Sequence, residues 1–111
     1  MSESGKTVRH REVTALELQA MLADGTVTLV DVREPGEFAA EHIRGAINKP
    51  LSSFDPAELT LSAGKAIVLQ CAGGKRSGKA LDQCIKANSV IDAHLGGGLD
   101  AWNAAGLPTI R

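Results

Sequence analysis

Residues 66–77 constrain the fold more than any other stretch. Ala66-Ile67-Val68-Leu69-Gln70 is an apolar run that predicts a short buried strand. The run ends in Cys71, passes through Ala72-Gly73-Gly74-Lys75-Arg76-Ser77, and opens a helix-like stretch from Gly78 to Ala87. A strand, a glycine-containing turn and a helix in that order bring loop amides and a helix N-terminus to one point, where partial positive charge collects. Such a point binds anions, and the same field favours thiolate over thiol. Seven residues thus offer a nucleophile, Cys71, and an anion cradle.

The rest of the chain repeats the alternation. A short extended stretch near Arg9–Val13 leads to Thr14, and Thr14-Ala15-Leu16-Glu17 reads as a capping box. The helix it opens carries Leu18, Met21 and Leu22 on one face and stops at Asp24-Gly25. Thr26 to Val32 is β-branched and predicts a strand; Glu37 to His42 predicts a short helix; Gly45 to Asn48 is briefly extended. Residues 51–65 read as loop with one helical turn at Pro56–Leu59. Ser89 to His94 predicts a third strand, Gly96-Gly97-Gly98 a turn, and Leu99 to Ala105 a last helix around a core Trp102. Strands alternating with helices argue for an α/β fold with a parallel sheet covered on both faces. Ligands of such sheets bind beyond the carboxyl ends of the strands, where Asp31 and Cys71 both fall. Residues 1–7 read as a flexible polar tail and residues 8–111 as one domain.

Composition narrows the function classes. A net charge of −1 and 3% aromatic residues give no footprint of a nucleic-acid binder. Apolar runs are too short to span a bilayer, and the polar first residues lack a signal-peptide core, so a cytoplasmic protein is the default. Two cysteines, not in CxxC spacing, suit neither a disulfide scaffold nor a thioredoxin-type pair. His10, His42 and His94 lie far apart and form no local zinc motif, so neither a metal nor a cofactor is expected.

Several residues admit a plain reading beside the chemical one. Cys84, mid-helix near Leu81 and Ile85, reads as a small buried hydrophobe. Gly73 and Gly74 alone could be a tight turn. Arg76 stands against its own helix dipole, which implies a partner: a bound anion or an acidic side chain, with Asp31 and Glu34 as candidates. Ser77 suits an N-cap. Asp31-Val32-Arg33-Glu34 is either a solvated loop or a charge network pinning the cysteine loop. His42 is a candidate base for Cys71, though a helix-end histidine is the simpler reading.

Four segments together resemble the single-domain rhodaneses of the sulfurtransferase family. They are Asp31 to Phe38, His42 to Pro50 (an HIxGAxNxP-like stretch), Cys71 to Ser77 (a CxxGxRS-like loop), and Gly96 to Trp102 with Ala105 to Pro108. The resemblance implies a three-layer α/β/α fold with a five-stranded parallel sheet in the order 3-2-4-5-1. It implies that Cys71 accepts a sulfane sulfur as a persulfide and passes it to a nucleophile in a double displacement. The amides of Ala72, Gly73, Gly74, Lys75 and Arg76 would hold the terminal sulfur, with Ser77 closing the loop and Asp31 and Arg33 supporting it. The implied partners are a small anionic sulfur donor, a thiol or cyanide acceptor, and a sulfur-relay protein as an alternative source; nucleic acid and membrane are not implied, and a monomer is the default. Related phosphatases and arsenate reductases carry one more loop residue than the six from Cys71 to Arg76. The Lys75-Arg76 pair favours a doubly charged donor such as thiosulfate. Glu41, Arg44, Leu99 and Gln70 depart from the family pattern, and Gln70 is expected to alter the pocket wall.

Overall fold

In the computed structural model, residues 11–59 and 64–111 are described. The predicted tail at residues 1–7, and residues 8–10 of the predicted domain, lie outside them. The elements follow as β1 (Arg11–Val13), α1 (Ala15–Asp24), β2 (Val27–Asp31), α2 (Pro35–Ala40), β3 (Ile47–Asn48), β4 (Ala66–Gln70), α3 (Lys75–Lys86), β5 (Ala93–Leu95) and α4 (Gly98–Ala104). Single 3-10 turns at Leu51–Ser53 and Pro56–Glu58 bridge β3 towards β4. All strand pairs are parallel, and the order is β1-β5-β4-β2-β3, the expected 3-2-4-5-1 counted from the other edge.

Local chemistry sets the element ends. The Thr14 hydroxyl accepts from the Glu17 amide at 3.1 Å, while the Glu17 carboxylate accepts from the Thr14 amide at 2.8 Å, so two otherwise orphaned donors of α1 are satisfied. At its far end the Gly25 amide returns to the Leu22 carbonyl. Several predicted boundaries move: helix α2 runs over Pro35–Ala40 rather than Glu37 to His42, with Pro35 at its first position. Helix α3 begins at Lys75 rather than Gly78, because Gly74, at φ 104°, makes the turn in one residue. Strand β5 begins at Ala93 rather than Ser89, because the chain is still leaving α3. The Ser89 amide donates to the Cys84 carbonyl, and the Ser89 hydroxyl accepts from the Ile91 amide.

Strand alternation divides the core in two. Leu29, Val68, Ala93 and Leu95 meet Leu18 of α1 and Leu99 and Trp102 of α4. Val30, Ile67, Leu69 and Cys71 face the other way, onto Ala80, Leu81 and Cys84 of α3. Burying Leu69 and Leu81 stabilises the fold by roughly 1.5–3 kcal/mol each. Cys71 therefore caps the α3-side core at the carboxyl end of the central strand, and His94, set between Ala93 and Leu95, points to that same side. Among the described residues no helix is long and apolar enough to cross a membrane.

Thr14→Ala removes one half of the capping box while leaving the core intact. It is expected to lower stability by about 1 kcal/mol, read as a shifted urea midpoint at unchanged slope.

Candidate functional site

The loop from Cys71 to Gly74 is held from beneath by α4. The Leu99 amide donates to the Cys71 carbonyl at 2.8 Å and the Asp100 amide to the Ala72 carbonyl at 2.9 Å. In a planar trans peptide the carbonyl and the following N–H point in opposite directions, so the amides of Ala72 and Gly73 are turned away from α4. The approach is close enough that a Cβ at Gly98, which also sits at φ 59°, would collide with the Cys71 and Ala72 carbonyls. Gln70 supplies the second donor to the Cys71 carbonyl, Nε2 at 2.9 Å. This corrects its expected place in the pocket wall: Gln70 is fully buried on the α4 side of the sheet. Its Oε1 has no hydrogen-bond partner among the described residues.

The sulfur itself is enclosed. Cys71 is 1% exposed, and the Gly74 amide donates to its Sγ at 3.0 Å. The Ser77 hydroxyl lies 3.6 Å from Sγ. Ser77 is not the N-cap; Gly74 is, and Ser77 falls in the first turn of α3, buried, with its hydroxyl 3.2 Å from the Gly74 carbonyl. The same oxygen is 2.7 Å from Nδ1 of His94, whose Nε2 is 3.5 Å from the Glu12 carboxylate on β1. Sequence reasoning gave His94 and Glu12 no role. The signal was there in part: a histidine between Ala93 and Leu95 must face away from their side of the sheet, which is the side of α3.

Arg76 has an acidic partner, but it is neither Asp31 nor Glu34. Its Nη1 and Nη2 donate to the two carboxylate oxygens of Glu37 on α2, at 2.7 and 3.0 Å. This two-pronged bond, aided by the Glu34 amide, holds the Glu37 carboxyl down at about 2, and Glu37 in turn raises the Arg76 guanidinium above its ordinary value. The basic pair expected to meet a dianion is thus split: Arg76 is tied to the protein and Lys75 is exposed.

Asp31 and Arg33 form a network rather than a solvated loop, but they bond to each other and not to residues 71–77. Both are buried; Arg33 Nε and Nη2 donate to the Asp31 carboxylate at 2.9–3.1 Å, and Nη2 also reaches the Glu41 carbonyl at 2.6 Å. Asn48 Nδ2 ties the Asp31 and Arg33 carbonyls together. Asp31 and Arg33 frame the β2–α2 corner, and α2 carries Glu37. His42 stacks on Phe38 and shares Nδ1 with the Phe38 carbonyl at 2.8 Å, so the simpler helix-end reading fits its place. Cys84 is fully buried, and burial pushes its thiol up to about 11. Among the described residues no three metal-ligating side chains gather.

The model of the rhodanese-like domain family matches residues 14–105. The slr1261 protein of Synechocystis sp. is 48% identical over 94 residues, which are 85% of this chain and 52% of that protein, so the chain spans about half of that relative's length. A sulfurtransferase of Allochromatium vinosum is 30% identical over 89% of this chain and 94% of its own. Among solved structures, the thiosulfate sulfurtransferase of Pseudomonas aeruginosa superposes with a TM-score of 0.78 at 28% identity, covering 94% of this chain and 20% of that one.

Two outcomes follow from this geometry. Gly98→Ala is expected to cost at least roughly 2 kcal/mol, since the backbone strain and the clash add, and to disorder the loop; thermal melts and amide exchange at Ala72 to Gly74 check it. The Glu37–Arg76 bond contributes stability above about pH 4.5 and loses it as the pH falls towards about 2, because the folded carboxyl titrates below the unfolded one. The stability gap between wild type and Glu37→Gln should therefore close over that acid range in urea melts, and a gap that ignores pH would refute the assignment.

Proposed function

Given that the chain belongs to the rhodanese-like domain family, we propose that it is a sulfurtransferase acting through a persulfide on Cys71. The observation that carries this reading is the Gly74 amide donating to Sγ at 3.0 Å, at the head of a twelve-residue helix. A sulfur placed there as an anion meets a fixed donor and the positive end of α3. With thiosulfate, the Cys71 thiolate attacks the outer sulfur, the S–S bond breaks, and sulfite leaves with the electron pair. The cysteine then carries an anionic persulfide within the amides of Ala72 to Arg76. A nucleophile such as cyanide or a thiolate attacks the terminal sulfur, and the Cys71 thiolate departs as the leaving group. The two half-reactions share one enzyme intermediate, so the kinetics are ping-pong. The Ser77 hydroxyl stands 3.6 Å from sulfur, Lys75 offers the exposed cation, and Arg76 holds the loop to α2. Asp31 and Arg33 act at a distance, as the frame of that corner. The reaction calls on no metal or organic cofactor, and we propose that the chain acts as a cytoplasmic monomer.

One observation favours a second reading. Arg76 is already committed to Glu37 and Cys71 is 1% exposed, so among the described residues of the loop a free dianion meets one open cation, Lys75. A carrier fed with sulfur by a relay protein would need less cationic attraction than an enzyme that collects thiosulfate from solution.

Thiocyanate formation from thiosulfate and cyanide tests the first reading. Activity in the wild type that is lost in Cys71→Ser, by at least about a thousandfold for a missing nucleophile, supports it. An inactive wild type that nevertheless gains the mass of one sulfur atom when mixed with a loaded persulfide protein supports the carrier. A wild type that does neither overturns both.

A further inference from the structure

Sulfur transfer as described above calls on Cys71 and the nearby Ser77 hydroxyl, but not on the polar chain that continues from Ser77 through His94 to Glu12. The four residues come from four different parts of the fold. Cys71 directly follows β4, Ser77 stands in the first turn of α3, His94 is the middle residue of β5 and Glu12 the middle residue of β1. The parallel register sets Glu12 directly beside His94, and both face α3. Successive separations are 3.6, 2.7 and 3.5 Å. The first three groups are buried, while the Glu12 side chain is 68% exposed. The chain therefore connects an enclosed sulfur to solvent at the β1 edge of the sheet.

We propose that His94 is a positioning residue that takes up the Cys71 thiol proton through the Ser77 hydroxyl. The Glu12 carboxylate favours the tautomer with hydrogen on Nε2, which leaves Nδ1 as an acceptor at 2.7 Å from Ser77. Ser77 has one hydroxyl hydrogen, and the short contact to Nδ1 takes it in preference to the Gly74 carbonyl at 3.2 Å. The Cys71 S–H then donates to the Ser77 oxygen. In the transfer, the S–H bond breaks as its proton passes to Ser77, and the hydroxyl's original proton passes to Nδ1. One proton leaves sulfur and one arrives at His94; serine is unchanged. The products are a thiolate, held by the Ser77 hydroxyl and the Gly74 amide, and an imidazolium, held by Glu12. The groups around the ring that bear on its charge are Glu12 from β1 and Cys71 from the end of β4. On α3, Gly78 lies against Cε1, and Asp82 follows one turn later on that helix.

This inference rests on Cys71 being the nucleophile, but its test needs no sulfur donor. Failure of the thiocyanate assay and failure of the relay are therefore separate results. Thiolate formation is followed by absorbance at 240 nm against pH, as the difference from Cys71→Ser. The chain has no tyrosine to obscure that band, and Cys84, pushed up to about 11, cancels in the difference. Ser77→Ala and His94→Asn are each expected to move the midpoint up by roughly one pH unit, the tenfold change of one lost hydrogen bond. The double variant should move it no further, and Glu12→Gln should shift it part of the way. His94→Asn keeps a polar partner for Ser77 but takes up no proton, so a wild-type midpoint in that variant overturns the proposal. Additive shifts in the double variant overturn it as well. The unmutated relay gives an independent check should a variant unfold. Nitrogen-15 spectra of the His94 ring should show the imidazolium persisting to higher pH in the wild type than in Cys71→Ser. Loss at the same pH in both proteins would refute the coupling.

Discussion

The peptide planes at Cys71 and Ala72 are fixed from outside the loop, by two amides of the first turn of α4. Everything else about the site follows from that attachment. Once those carbonyls face α4, the amides that follow them face the other way, and the Gly74 amide completes the turn onto sulfur. A helix N-terminus normally presents its unpaired donors to solvent or to a ligand. Here α4 spends two of them on the loop, and the amide of Gly74, the N-cap of α3, goes to the cysteine. The two helix starts have different tasks: one shapes the cradle and the other charges it.

The electrostatics divide in the same way between framing and binding. The buried Asp31–Arg33 pair satisfies itself and the Glu41 carbonyl, which makes the corner after β2 stiff without adding net charge to the pocket. A buried pair of this kind is costly to break from one side, by roughly 3–5 kcal/mol, because the remaining charge is stranded. Glu37 stands on that stiff corner and takes both prongs of Arg76. The strain of placing a cation at the start of α3 is thereby relieved by a carboxylate from another element. The loop is consequently clamped from two directions, by α4 below and by α2 at the side.

Much of this was readable in the chain, for reasons that can be named. The alternation of β-branched and amphipathic runs gave the strands and helices, and the capping box at Thr14 and Glu17 stood in the sequence as it stands in the structure. The cysteine loop announced itself because nucleophile, glycines and helix start are adjacent. What stayed hidden depends on register and on long-range contact. That Arg76 meets Glu37 rather than Glu34 turns on how α2 winds after Pro35, three residues that local pattern cannot order. That Glu12 lies beside His94 turns on the pairing of β1 with β5, which are about eighty residues apart. Gln70 looked like part of a pocket wall because it precedes Cys71; strand alternation sends it to the opposite face. The late start of β5 was masked by Val90 and Ile91, whose β-branched character outweighed the serine turn that follows α3.

The attachment of the loop to α4 also says how large a portable version of this site has to be. Residues 71–77 moved alone onto another strand–helix junction would carry the cysteine and its glycines but not the donors that orient them. The smallest piece that also brings those donors runs from β4 through α3 and β5 to α4, with Gly98 as the joint where the last helix touches the loop, and the side clamp from Glu37 on α2 would still have to be supplied. In this chain the cradle is a property of two successive strand–helix units stacked side by side, and its heredity is that of the pair.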